Sequence, residues 1–222
     1  MISATIKNVN LMFETDPSNF SPNNIDIGTL AMLSVTDFSP NDKVLDLGCG
    51  YGVVGILAGK LIGPKNITMC DISESAIKQA KINAKLNQVP DIDIRLSDGL
   101  QNVSDNDFTL ILSNPPYHTD FSVPKHFIEV GFKKLVLGGK LIMVTKRLDW
   151  YKNKLISTFG GVQIHEINGY YVFIAEKRKD NAPKKERKKE KKDNKLSKKL
   201  QRKQKFKAAN KKATNKAVEI DQ

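Results

Sequence analysis

Lys43-Val44-Leu45-Asp46-Leu47-Gly48-Cys49-Gly50-Tyr51-Gly52 is a short strand pattern that runs into a glycine-rich turn. Directly behind it, VVGILAGKLI (53–62) has helical spacing, with Val53, Ile56, Leu57 and Leu61 on one side. Further along, NITMCD (66–71) reads as a second strand. Ser73 then caps the helix ESAIKQAKINAKLN, whose inner face carries Ala76, Ile77, Ala80 and Ala84. IDIRLS (92–97) alternates as a strand does, and FTLILS (108–113) is continuously apolar. A helix near 125–137, the strand KLIMVT (140–145), a helix near 148–159 and the strands VQIHEI and YYVFIAEK complete the pattern. Strands separated by helices imply βαβ units, so the expected fold is α/β with a mainly parallel sheet covered on both faces. The last two strands are joined only by Asn168 and Gly169, a hairpin signal, so the sheet should end in an antiparallel pair.

Charge divides the chain. Of its 222 residues, 36 are Lys or Arg and 24 are Asp or Glu, a net of +12. Lys177 to Gln222 hold 20 of the basic and 6 of the acidic residues, a net of +14, which leaves −2 for residues 1–176. The expected organisation is one folded domain over 1–176 and a Lys-rich tail over 177–222. The tail has few large apolar residues and no sustained heptad, so it should be disordered without a partner. No apolar stretch approaches the roughly 18 residues of a membrane helix, and MISATIKNVNLMF lacks a signal-peptide layout. Cys49 and Cys70 make no disulfide framework, and no Cys/His set has zinc spacing. These features predict a cytoplasmic protein with neither membrane nor metal partners.

The turn after the first strong strand is a candidate cofactor loop. Gly48, Gly50 and Gly52 let the backbone turn sharply and let a ligand approach without a Cβ in the way. A dinucleotide fingerprint would need its third glycine at position 53, which is Val53. Asp46 precedes the first glycine by two residues. A carboxylate there would repel a pyrophosphate but favour the amine and sulfonium of S-adenosyl-L-methionine. No lysine follows in P-loop fashion. Asp71, with Ile72 after it, ends the next strand, where an acid can take both ribose hydroxyls of an adenosine. Asp98, after the third strand, could reach the adenine amino group. A plain βα-turn would also use the glycines, and the alternative for Asp71 is a helix-capping acid.

Ser113-Asn114-Pro115-Pro116-Tyr117-His118 follows the fourth strand, at the carboxyl edge where ligands of such sheets bind. Two prolines fix the backbone and remove two N–H donors, leaving a loop that presents oxygens. Asn114 adds a side-chain acceptor. Together with the carbonyl of Pro115 it suits a planar amino group with two N–H bonds, whose nitrogen would be aimed at a methyl donor as it pyramidalises. No general base need act before transfer. Tyr117 offers a face for an unpaired base, and His118 either lines or bounds the pocket. His126 and His165 read as ordinary helix and strand residues. The alternative is a proline-stiffened loop with Asn114 capping a strand end.

The glycine loop with Asn-Pro-Pro-Tyr resembles the class I S-adenosylmethionine-dependent amino-methyltransferases. Phe20-Ser21-Pro22-Asn23-Asn24-Ile25-Asp26-Ile27-Gly28-Thr29 is similar to a signature of the small-subunit ribosomal RNA guanine-N2 methyltransferases, and SNPPYH and LVLGGKLIMV fit them too. The resemblance spans roughly residues 10–176. It implies a Rossmann-like, seven-stranded sheet and methyl transfer to guanine N2 of ribosomal RNA, free or in a ribosomal particle. Phe20, Asp26, Gly28 and Thr29 would close over the methionine end of the cofactor, and Asn114 to Tyr117 would hold the amine. Two departures stand out: the duplicated N-terminal domain of better-known members is absent from this sequence, and Thr119-Asp120-Phe121 replaces a usual glycine. The tail offers phosphate binding in place of that domain. The rival activities are adenine N6 and protein glutamine methylation, and the rival class is a non-catalytic RNA-binding protein.

Overall fold

The computed structural model describes residues 1–15, 23–116 and 121–179, and the body it describes runs from Met1 to Lys179. Its elements in chain order are β1 (Ile2–Ile6), β2 (Val9–Phe13), α1 (Ile27–Ser34), β3 (Val44–Leu47), α2 (Val53–Ile62), β4 (Ile67–Asp71) and α3 (Glu74–Leu86). There follow β5 (Asp93–Leu96), β6 (Phe108–Ser113), α4 (Ser122–Lys134), β7 (Leu135–Thr145), α5 (Asp149–Phe159), β8 (Gln163–Ile167) and β9 (Tyr170–Glu176). A seven-stranded sheet has the order β5-β4-β3-β6-β7-β9-β8. Strands β3 to β7 pair in parallel, whereas β9 is antiparallel to both β7 and β8. The chain reverses direction across the sheet between β4 and β6 on either side of β3. Ligands of open α/β sheets bind at such a switch point, outside the carboxyl ends of the strands.

Strand alternation assigns the two faces. Val44, Ile67, Met69, Leu110, Leu112, Ile142 and Val144 meet α1, α2 and α3 in one core. Their neighbours Leu45, Leu47, Cys70, Ile111, Leu141 and Met143 meet α4 and α5 in the other. The expected caps and faces recur: Ser73 Oγ accepts the Ala76 N–H at 3.3 Å, and Ala76, Ile77, Ala80 and Ala84 are buried. Asn168 and Gly169 both have positive φ (53° and 75°), as a two-residue hairpin turn with the strands' own twist requires.

Two expectations need correction. The helix predicted to reach 137 ends at Lys134, and Leu135 to Leu137 open β7. Apolar residues at 128, 132 and 135 continue the helical period, so the pattern hides the boundary. The strand then bulges: Phe108 faces Leu135, but Leu110 faces Lys140. Gly139 is packed there so tightly that a Cβ would come within 3.1 Å of the Phe108 carbonyl. Lys177 secures the bulge, its main chain bonding Gly138 and Gly139, and is itself buried.

The second correction is an element the pattern did not show. β1 and β2 form a separate antiparallel hairpin turned at Lys7 and Asn8, with Leu11 and Phe13 in the core. Two asparagines one turn apart, Asn83 on α3 and Asn87 at its C-cap, hold it. Asn87 Oδ1 accepts the Met12 N–H and Nδ2 donates to the Met12 carbonyl. Asn83 treats Glu14 in the same way, and its Nδ2 also donates to the Tyr51 carbonyl at 2.9 Å. The side-chain amides thus satisfy main-chain groups as a neighbouring strand would. Through Asn83, they tie the hairpin to the glycine loop.

Candidate active site

The glycine loop sits where β3 gives way to α2. Gly48 and Cys49 donate their N–H groups to the Cys70 carbonyl at 2.9 and 3.0 Å, which latches the loop to the end of β4. Gly50 N–H donates to Asp71 Oδ2 at 2.9 Å, and Ser73 N–H to Asp71 Oδ1 at 3.0 Å. Each Asp71 oxygen keeps acceptor capacity after these bonds. Gly50 has φ +54°, and a Cβ on it would meet nothing within 4 Å; the space it would occupy is open cavity.

That cavity, of about 380 Å³, brings most of the expected residues together. Asp26, Thr29, Asp46, Gly48, Gly50, Asp71, Ile72, Asp98, Asn114 and Pro116 all line it. Gly28, Gly52 and Pro115 stand behind the lining. Gly28 is needed for packing, since a Cβ would come within 2.8 Å of the Tyr170 ring. Gly52, at φ +101°, is the residue before α2 and lies against Met69 and Ile56. Phe20, Tyr117 and His118 lie outside the described residues.

Asp46 is buried and one of its oxygens accepts the Gly55 N–H at 2.9 Å. Burial pushes its carboxyl up to about 7, with the Gly55 bond opposing and the charge of Asp71 adding to the rise. The two thiols of the wall are also shifted: burial drives Cys70 up to about 12 and moves Cys49 upward as well, with Asp46 adding to both. Ile72, also in the lining, is an apolar side chain 67% exposed.

The other half of the site is built across the chain. Asp26 caps α1, its Oδ2 accepting the Thr29 N–H at 2.8 Å. The same oxygen accepts from Asn114 Nδ2 at 2.8 Å, and Thr29 Oγ1 accepts from Nδ2 at 3.0 Å. Because a carboxylate can only accept, the amide must turn its NH2 toward Asp26, and this fixes where its oxygen points. Asn114 Oδ1 is buried and has no hydrogen-bond partner among the described residues. A buried acceptor without a partner costs free energy, and a ligand N–H would relieve it.

Residues that pattern reading missed complete the wall. Val123 and Phe127 come from the first turns of α4, and Ser97 and Gly99 from the turn after β5. Starting the helix at 125 left Val123 outside it; its apolar spacing with Phe127 was the available signal. No group of three or more potential metal ligands occurs among the described residues, and none of their helices is long and apolar enough to cross a membrane.

The site can now be set beside known proteins. Ribosomal RNA small subunit methyltransferase C of Serratia proteamaculans is 31% identical over 183 residues, covering 79% of this chain and 52% of that protein. Ribosomal RNA large subunit methyltransferase G of Yersinia pestis is 28% identical over 176 residues, covering 76% and 45%. Among solved structures, a T. Thermophilus 16S rRNA N2 methyltransferase in complex with AdoMet and guanosine matches with a TM-score of 0.70 at 25% identity, over 80% of this chain and 50% of that one. A Pyrococcus furiosus methyltransferase, at 19% identity and TM-score 0.64, shares the fold. The chain spans about half the length of the curated relatives it matches. The model of the methyltransferase small domain fits residues 10–174, nearly all of the body, and the chain belongs to that family.

Proposed function

We propose that this chain transfers a methyl group from S-adenosyl-L-methionine to an exocyclic amino nitrogen of an RNA base, guanine N2 in ribosomal RNA. The observation that carries the reading is the unfilled Asn114 Oδ1, aimed by Asp26 and Thr29 and buried beside the glycine loop. The relatives named for ribosomal RNA methylation, and the solved relative holding AdoMet and guanosine, support the same assignment.

The lining fits the cofactor. Asp71 would take the ribose hydroxyls on acceptor sites its backbone bonds leave open, Ile72 and Asp98 would flank the adenine, and Asp46 would face the cationic methionine end. Asp26, Gly28 and Thr29 would shape that end, Gly50 would leave room, and Gly48 and Gly52 would set the turn. Bound there, the cofactor supplies an electrophilic methyl on sulfonium. Asn114 Oδ1 would accept one N–H of the base and the Pro115 carbonyl the other. Pro116 would stiffen the loop, and Tyr117 would stack the base. With its hydrogens so held, the amino lone pair faces the methyl, and the proton leaves only after the new bond forms.

RNA affinity would come in part from the basic segment after the body, which lies outside the described residues. Its lysines would bind phosphate in the cytoplasm without sequence preference. The test is nucleoside mass analysis of ribosomal RNA, free and in particles, after incubation with the protein and isotopically labelled cofactor. N2-methylguanine is expected; label in N6-methyladenine or in protein glutamine would replace the substrate, and no label in any of them would sink the reading.

A further inference from the structure

We propose that Lys146 and Arg147 form a phosphate-holding rim that seats an unpaired RNA strand on both sides of the target base, with Phe121 and Trp150 as its floor. This rests on RNA being the substrate, and it assigns the surface by which the body itself grips the strand.

The geometry begins in the sheet. β6 and β7 run in parallel with Ser113 opposite Met143, so the chain leaves β7 at Thr145 beside Asn114. Lys146 and Arg147 are the next two residues, and both are exposed. The Arg147 N–H donates back to Thr145 Oγ1 at 3.2 Å, which holds the turn before α5.

The two side chains go to different flanks of the site. Lys146 Nζ lies 4.9 Å from the centre of the Tyr170 ring, and that ring abuts Gly28, between the Asp26 and Thr29 that orient Asn114. The Arg147 guanidinium lies 5.0 Å from the Phe121 ring, and Phe121 is the residue immediately before α4. Phe121 in turn stacks on Trp150, with centres 4.4 Å apart and planes 17° apart. One cation therefore stands on the α1 side of Asn114 and its neighbour on the α4 side.

Their company differs from that of the ion-paired cations of the body. Lys43, Arg95 and Lys154 all form ion pairs with carboxylates. Lys146 and Arg147 have only aromatic faces beneath them and no ion pair among the described residues. The nearest acid in sequence, Asp149, lies in the first turn of α5 and is exposed. A cation resting on a ring keeps its donors turned outward, and a flat guanidinium keeps a bidentate edge for phosphate. An enzyme working on one base must take it out of its stack, so the phosphates on either side need fixed seats. Two such seats flanking one acceptor meet that need.

The test compares the full chain with Lys146→Ala/Arg147→Ala, using an oligonucleotide from ribosomal RNA, and reads kcat/KM for methyl transfer across a salt series. The double variant should lose about 10–100-fold in kcat/KM at low salt. Its log–log salt slope should flatten by about 1.4, at roughly 0.7 for each single-strand phosphate contact removed. Cofactor affinity and kcat at saturating RNA should stay within a few-fold. The basic segment is present in both proteins and cancels from the difference. If the double variant folds poorly, Lys146→Ala alone, an exposed position, should flatten the slope by about 0.7, and Arg147→Lys should keep the parental slope. A double variant, or a Lys146→Ala protein, with the parental slope overturns the rim. A parent protein that binds cofactor yet transfers no methyl to any RNA overturns the substrate reading instead.

Discussion

The two edges of the sheet are built on opposite electrostatic plans. At the amino edge charges are joined in a network: Lys43 bridges Asp105 and Asp107, and Arg95 joins Asp105 to Asp93. At the carboxyl edge the groups are left wanting. Asp46 is buried with no cation near it on the described chain, Asn114 Oδ1 is unfilled, and Lys146 and Arg147 rest on rings. Paired charges settle a fold, whereas unmet polar groups wait for a ligand. The difference supports the proposed site at the carboxyl edge.

The comparison is broken most directly at Asn114. Asn114→Ala should lower kcat for methyl transfer by about 10²–10³ or more, the scale seen when one positioned transition-state contact is removed. Cofactor affinity, read by calorimetry, should stay within a few-fold. Retained turnover would mean that the unfilled oxygen is incidental. Asp26→Ala should follow at about 10–100-fold in kcat, because it frees the Asn114 amide to rotate, with the cap of α1 lost as well. Asp71→Ala should act on the other half of the cavity, weakening cofactor binding by about 10–100-fold. Here kcat at saturating cofactor should change far less.

Smaller effects sharpen the contrast through pH. Burial pushes the Asp46 carboxyl up to about 7, well above its ordinary 3.8, so the folded state binds the extra proton between those values. Its contribution to stability is therefore present at low pH and is lost as pH rises from about 4 through 7. A cationic ligand favours the ionised form. Cofactor affinity should accordingly tighten several-fold between pH 6 and 8, with proton release visible as a buffer-dependent binding enthalpy. Asp105 does the reverse: Lys43 holds its carboxyl down at about 2, so it stabilises at neutral pH and that benefit is lost as pH falls from about 4 to 2. Asp105→Asn should cost about 1 kcal/mol or less in chemical denaturation, given its partial exposure, and leave methyl transfer unchanged.

How much of this was legible follows from sequence distance. The cofactor half is assembled between Asp46 and Asp98 from successive βα turns, so glycines, a strand-end acid and Ser73 stand in order along the chain. The reaction half was half legible. Asn-Pro-Pro announced a loop of oxygens, but the bonds that aim Asn114 come from residues 85 and 88 positions away. The pattern also gave no sign of Asn83 and Asn87 holding β2. On a helix they look like polar interruptions, and only the docked strand explains why Asn83 is fully buried. The end of α4 was hidden for a different reason: apolar spacing ran on unbroken into the strand. Glycines carried mixed messages. Gly50 leaves ligand space, while Gly28 makes room for the Tyr170 ring and the Asp26 carboxylate, and a signature does not tell these apart.

The shifted thiols of the cavity wall bear on a hazard any methyl donor brings with it. A sulfonium is an electrophile toward whatever nucleophile it meets first, and a thiolate is among the best a protein offers. Cys49 and Cys70 both line the cavity, and burial beside Asp46 and Asp71 holds them as neutral thiols at physiological pH. The acids and the burial that would welcome the cofactor's positive charge would thus also guard the wall from alkylation, leaving the methyl for the amine of the proposed substrate.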